Sequence, residues 1–355
     1  MSKLTFIRRA GTTAVASALA VSLVGAGGAA QAAPADHSAQ WLSDQLTGGL
    51  IHNPNFGGID DYGLSIDTAF ALQAIGGHGS DVRDVRNAMS MHVGDYIGTG
   101  GEKYAGSIAK LLVLAESTGA DPKSFGGVDL VKRLNSLVHQ TGPAKGRIVD
   151  VSQFGDFANS IGQILAVRGL TEAKSGQAGK ARQFLLEQQC RQGYFRLNFA
   201  KLSAHHQSCG KKSPADPDVT SYAVIQLWKT SKGHRAFRSD LRRAVSWLAK
   251  QQRKSGAFIG GTSTSTPNAN STGLAAWALA KDGKCSSAKA AAKWVSGLQV
   301  GKASGSKLAG QRGAIAYDRA AFKAGKRHGI TDATQDQWRR STTQAAPGLL
   351  FRHGC

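Results

Sequence analysis

Four positions in this chain share one setting. Asp67, Asn159, Asp218 and Asn270 each stand just ahead of, or two residues before, a small hydroxyl residue (Thr68, Ser160, Thr220, Thr272) that opens an Ala-rich apolar run. An oxygen-bearing side chain there caps free amides at a helix start. If such starts gather at one end of a molecule, their dipoles and polar side chains make a rim suited to a polar or anionic ligand. Around that rim the candidate binding residues are Asp67, Tyr62, Asn159, Tyr222, Asn270 and Trp277, over a hollow that Phe70, Tyr104, Phe154, Phe157 and Tyr317 also help to line. Asp60-Asp61-Tyr62 offers the paired carboxylates of a carbohydrate-cleaving site, and reads equally as a turn ahead of a helix. His205-His206 near Cys209 and Asp216 has metal-ligand chemistry but reads as an exposed loop tied by a disulfide, so no metal and no cofactor is expected.

The elements that position these residues repeat. Apolar runs occur at Ile66–Ile75, Ala105–Leu114, Ala158–Val167, Asp218–Leu227 and Asn270–Leu279, with a degenerate sixth at Gly313–Phe322. Each is apolar nearly all round, as an inner helix must be. An amphipathic segment precedes each one: 38–50, 82–96, 128–140, 175–189, 239–252 and 287–299. In the last, Ala291, Trp294, Val295 and Leu298 form one stripe with Lys289 and Lys293 at its edge. Almost no segment alternates with period two, so no sheet is expected. Six outer–inner helix pairs predict an all-α fold, an (α/α)6 toroid closed as a ring rather than left as an open solenoid.

The termini and the charges set the compartment. Residues 1–32 carry Lys3, Arg8 and Arg9, an apolar Ala-rich run and Ala30-Gln31-Ala32, which together read as a signal peptide. Residues 33–355 then form one exported toroid domain, secreted or held at the cell wall, with no later transmembrane segment. From Asp36 to Gly142 there are 7 Lys+Arg against 12 Asp+Glu; from Pro143 to Cys355 there are 34 against 11. A basic half on an exported chain suits an anionic cell-envelope polymer, with nucleic acid the less favoured polyanion. The four cysteines allow three pairings. Cys190–Cys209, which flank one loop, and Cys285–Cys355, which would pin the tail, are the expected disulfides.

Lys180-Ala-Arg-Gln-Phe184-Leu to Gln189, then Gly193-Tyr-Phe195, resembles the QW repeat of squalene and oxidosqualene cyclases. Arg243-Ala to Trp247-Leu248, Gln252, Gly256 and Phe258 fits equally; Lys289-Ala290 to Trp294-Val295 and Gln299 is a third copy, and Trp41-Leu42 with Gly49 a worn first one. Phe195 and Phe258 replace the terminal Trp. The resemblance covers nearly all of residues 33–355. It implies the α/α toroid shared by terpene cyclases, protein prenyltransferase β-subunits, complement-like thioester domains and cobalamin carriers. The whole chain is most similar to exported actinobacterial proteins of the prenyltransferase/squalene-oxidase repeat type.

The same resemblance extends to function. Asp216-Pro-Asp218-Val219-Thr220 looks like the DxDD-T motif of class II terpene cyclases, which makes Asp218 the candidate acid, with Asp216 beside it. Val219 departs from that motif by replacing its last carboxylate. The prenyltransferase Asp-x-Cys and the thioester Cys-Gly-Glu-Gln have no counterpart here. The expectation is therefore a non-catalytic binding module that holds a small hydrophobic or anionic ligand, or an envelope component. The alternative is a terpene-cyclase- or prenyltransferase-like enzyme acting on an isoprenoid.

Overall fold

Ala-rich, one-sided segments joined by Gly turns fold as alternating outer and inner helices. The computed structural model describes residues 33–54, 57–262, 264–302 and 306–355; the expected leader, residues 1–32, lies outside them. The outer helices are α1 (Pro34–Ser43), α3 (Gly79–Met91), α6 (Leu130–Asn135), α8 (Ala178–Glu187), α10 (Arg235–Gln251) and α12 (Cys285–Ser296). The inner helices are α2 (Tyr62–Ile75), α5 (Ala105–Ser117), α7 (Ser160–Glu172), α9 (Pro217–Leu227), α11 (Ala269–Lys281) and α14 (Asp332–Ala345). Two further helices, α4 (Val93–Ile97) and α13 (Arg319–His328), lie in connections, and a 3-10 turn covers Ala346–Phe351.

Each inner helix packs on the next: α2 on α5, α5 on α7, α7 on α9, α9 on α11, α11 on α14, and α14 back on α2. The ring therefore closes, and the fold is the expected (α/α)6 toroid. Two expectations need correction. The sixth inner helix is α14, not Gly313–Phe322, which is a turn running into α13. And a sheet exists, among the described residues only as the two-residue antiparallel pair β1 (His52–Asn53) and β2 (Ile59–Asp60).

One hydrogen bond recurs around the ring. In α9 the Thr220 hydroxyl donates to the Asp216 carbonyl and accepts from the Phe195 amide at 3.0 Å. Thr272 does the same for Asn268 and Phe258, Thr342 for Trp338 and Ile315, and Ser65 for Asp61 and Ile51. In α7 the side chain of Gln163 accepts from Ile148. Five of the six inner helices, all but α5, thus grip the strand-like residue that follows the preceding glycine turn. The residues equivalent to Thr220 in α2 and α7 are Ser65 and Gln163, not Thr68 and Ser160.

Glutamine side chains stitch neighbouring repeats. Gln189 Nε2 donates to the Gly193 carbonyl and to Asp240 of α10; Gln252 Nε2 donates to Gly256 and to Ser287 of α12. Gln299 Nε2 reaches Pro34 and Ser38 of α1. That last clasp, with Ser38 Oγ donating to the Gly313 carbonyl at 2.6 Å, joins the sixth repeat to the first. Gly193 and Gly256 have φ of +110° and +89° and lie against the next outer helix, where an added Cβ would come within 2.6 Å of Arg243 O and 2.5 Å of Ala290 O. Only glycine meets both demands. Disulfides join Cys190 to Cys209 and Cys285 to Cys355.

Candidate functional site

Helix α9 carries the centre of the site. Its first residue is Pro217, pre-set for a helix start, and Asp216 is the cap: its Oδ1 accepts from the amides of Asp218 and Val219, both at 3.0 Å. Asp218 is therefore not the cap that its spacing suggests. It stands in the first turn, and Asp218, Tyr222 and Gln226 follow at i, i+4 and i+8, one face of the helix. That face lines a hollow of about 340 Å³ enclosed by the inner helices.

The same correction applies elsewhere. Asp61 caps α2 and Asn268 caps α11, so Asp67 and Asn270 sit inside their helices. Asn159 does cap α7, accepting from Ile161 and Gly162. Of the residues named from sequence, the hollow brings together Asp67, Phe70, Asp218, Tyr222 and Trp277. It does not include Tyr62, whose hydroxyl lies 3.2 Å from His92 Nδ1. Nor does it include Asn159, Asn270 or Asp216. Phe154 and Phe157 point outward, 69 % and 68 % exposed. Asp60 faces His52 at 3.4 Å and Asp61 pairs with Arg340 while capping α2, so neither carboxylate turns to the hollow. Among the described residues no group of three or more His, Cys, Asp and Glu could hold a metal ion.

Sequence reasoning passed over Lys110, Gln226, Thr343 and Gln344, which also line the hollow. Lys110 left a signal: it is the one charge between Ala105 and Leu114 in an otherwise apolar inner run. Its ammonium pairs with Asp67 at 2.8 Å and donates to the Gly63 carbonyl at 3.3 Å. Burial alone would lower its pKa; Asp67, with Tyr96 and Tyr222, more than reverses that, so Lys110 stays charged. Burial first and the Asp67 charge second push the Tyr222 phenol up, so it stays neutral.

Asp218 behaves differently. Burial pushes its pKa up to about 7; the Ser271 hydroxyl beside it works against that, and the Asp216 charge adds to it. Its Oδ1 is buried with no hydrogen-bond partner in the protein. The other oxygen faces the turn at Gly260, where a Cβ would lie 2.8 Å from Oδ2; a Cβ on Gly261 would lie 2.2 Å from Asp216. Two adjacent glycines thus let a loop backbone cover both carboxylates. The apolar part of the lining comes from Phe70 of α2, Ile161 of α7, Leu274 and Trp277 of α11, and Pro347 after α14.

At its far end the hollow touches a second polar group. Arg168 donates to Gln226 Oε1 and pairs with Glu172 at 3.2 Å. Burial, then the charge of Glu172, pushes Glu116 up to about 8.

This fold and hollow define the class. The chain is an α/α-toroid protein, and solved structures of that architecture match nearly its whole length. A protein from Actinoplanes is 16 % identical, with TM-score 0.60 over 90 % of this chain and 98 % of that one. The type II terpene cyclase MstE from Scytonema is 14 % identical, with TM-score 0.61 over 89 % and 96 %. A possible member of the GH105 family from Salmonella enterica is 12 % identical, with TM-score 0.59 over 92 % and 96 %. No family model and no curated protein matches the sequence.

Proposed function

We propose that this protein is an exported binding module that holds a small amphipathic molecule in the hollow of its toroid. Residues 1–32 act as the leader and residues 33–355 as the exported domain, which the two disulfides suit. The observation that carries the binding reading is the hollow itself. Apolar side chains from several inner helices line it, and among them stand the Asp67–Lys110 pair, the Tyr222 hydroxyl and an Asp218 oxygen that is buried without a partner. Few convergent polar groups over an apolar wall is how small-molecule sites are built. At ~30 Å³ per water the space holds roughly eleven waters, which suits a compact ligand rather than a long chain.

A second reading has its own support. A carboxyl whose pKa burial pushes up to about 7 can serve as a general acid at neutral pH. A Scytonema terpene cyclase of the same fold has been solved with geranylgeranyl dihydroxybenzoate, its substrate. Against that reading, Val219 leaves Asp218 without the adjoining carboxylate of the cyclase motif, and Asp216 spends Oδ1 on backbone amides. Binding is therefore the first reading and acid catalysis on an isoprenoid the second.

Native mass spectrometry of the protein secreted by its own host, followed by organic extraction, tests both. A stoichiometric small molecule lost on Trp277→Ala supports binding. Turnover of a polyprene that Asp218→Asn abolishes supports the second reading. An empty protein that neither binds nor converts such molecules removes both.

A further inference from the structure

Most surface loops turn few large apolar side chains to water; the loop between Val149 and Ala158 exposes three. Carboxylates in and beside it are tied to backbone amides. Asp150 accepts from the amides of Ala105 and Phe157, Asp156 from those of Asp150 and Ala158, and Glu102 from that of Gln153. Beside Gln153 and Asp156, the loop exposes Val151, Phe154 and Phe157, at 49 %, 69 % and 68 %. The phenyl rings are thus presented by a loop already fixed through its backbone.

Arg147 extends this platform. It is buried, pairs with Asp156, and donates at 2.7 Å to the carbonyl of Ala200 in the neighbouring loop. That second loop presents Leu202, 40 % exposed. Between Leu197 and Ala215 it carries Lys201, Lys211 and Lys212 with two histidines and no Asp or Glu. The platform also adjoins the hollow, because Ile161, at the start of α7, is both 38 % exposed and part of the hollow's lining.

We infer that this platform seats the protein on an anionic lipid bilayer. Phe154 and Phe157 enter the interface while the lysines of the second loop lie against the headgroups. Contiguous exposed apolar side chains mark a contact surface. Aromatic insertion with flanking cations is the pairing that holds a protein on a charged leaflet. The excess of 34 Lys+Arg over 11 Asp+Glu from Pro143 onward matches the sign of such a surface. Among the described residues no helix is long and apolar enough to cross a membrane, so the contact is peripheral.

The test is co-sedimentation with vesicles of phosphatidylcholine alone or with a third phosphatidylglycerol. It uses the full chain and residues 33–355, the unit that closes on itself. Binding to the anionic vesicles is expected, with little to the neutral ones. The double variant Phe154→Ser, Phe157→Ser should bind at least tenfold more weakly, with an unchanged melting temperature. Phe154→Trp should shift its emission to the blue on the anionic vesicles. The inference falls if residues 33–355 stay in the supernatant, or if the double variant binds as well as the parent, which would mean charge alone. It falls too if the double variant turns a dimer into a monomer in solution, which would make the platform a contact between copies.

Discussion

Asp218 owes its properties to the residue two places before it. With Asp216 holding the amides, Asp218 is left to face the hollow, and burial pushes its pKa up to about 7. A carboxyl whose folded pKa is raised above its unfolded value of 3.8 contributes its full stability below that value. The contribution is lost as pH rises from about 4 through 7. Asp218→Asn should thus leave stability at pH 4 nearly unchanged and raise it at pH 8 by about 1–3 kcal/mol, the lower part of the linkage ceiling because the side chain is partly open to the hollow. Thermal melts of both proteins across that range would show it; a variant that follows the parent at every pH would place Asp218 in water. Thr220 answers to a different bond. Thr220→Val keeps shape but strands the buried Phe195 amide, and should cost about 1–3 kcal/mol in a urea titration. The sequence exposed Thr220 as a recurring hydroxyl. It pointed to Thr68 in the run Ile66–Ile75, whereas the equivalent is Ser65, one residue ahead of that run, and the bond to Ile51 is what identifies it.

At the scale of elements, the glycine turns hold one repeat against the next. Gly256→Ala should destabilise by about 2 kcal/mol or more, because the new methyl meets both a left-handed backbone and the Ala290 carbonyl. Gly283→Ala, also left-handed but with nothing near its Cβ, should cost only the backbone part. Equal losses from the two in calorimetry would show that the packing against α12 contributes nothing. Five inner helices were legible because Ala, Leu, Ile and Val surround them. The sixth was not: α14 reads Asp332-Ala-Thr-Gln-Asp-Gln-Trp338-Arg-Arg-Ser-Thr342 and buries Trp338, Ser341, Thr342 and Thr343 instead of an aliphatic run. Hydroxyls there fill the inner position, Thr342 bonding to backbone and Thr343 meeting the Thr68 hydroxyl, so hydropathy misses the helix. The caps were misplaced for a related reason: Asp216 and Asp218 are equal as residue types, and only the start of the helix at Pro217 assigns their roles.

For the whole molecule, closure matters more than any single contact. Its clasps lie far apart in sequence, as with Ser38 and Gly313, and no local pattern reveals them. The Cys285–Cys355 disulfide spans 70 residues and holds the tail to α12, against 19 for Cys190–Cys209. By loop-closure entropy the longer bridge is worth about 4 kcal/mol and the shorter about 3. Cys285→Ser with Cys355→Ser should therefore lower the melting temperature more than Cys190→Ser with Cys209→Ser; the reverse order would mean that the tail adds little to the ring.

The clasp between α12 and α1 also fixes an order of events during synthesis. Gln299 and Gly313 are the residues that receive α1, so α1 has no finished seat until more than four-fifths of the chain has been made. Until then its inward face and that of α2 stay open to other chains, as with any fold whose contacts are distant in sequence. A chain stopped short of residue 299 would be an arc with two bare ends, and protein made faster than it can close should accumulate as aggregate rather than as a smaller working unit.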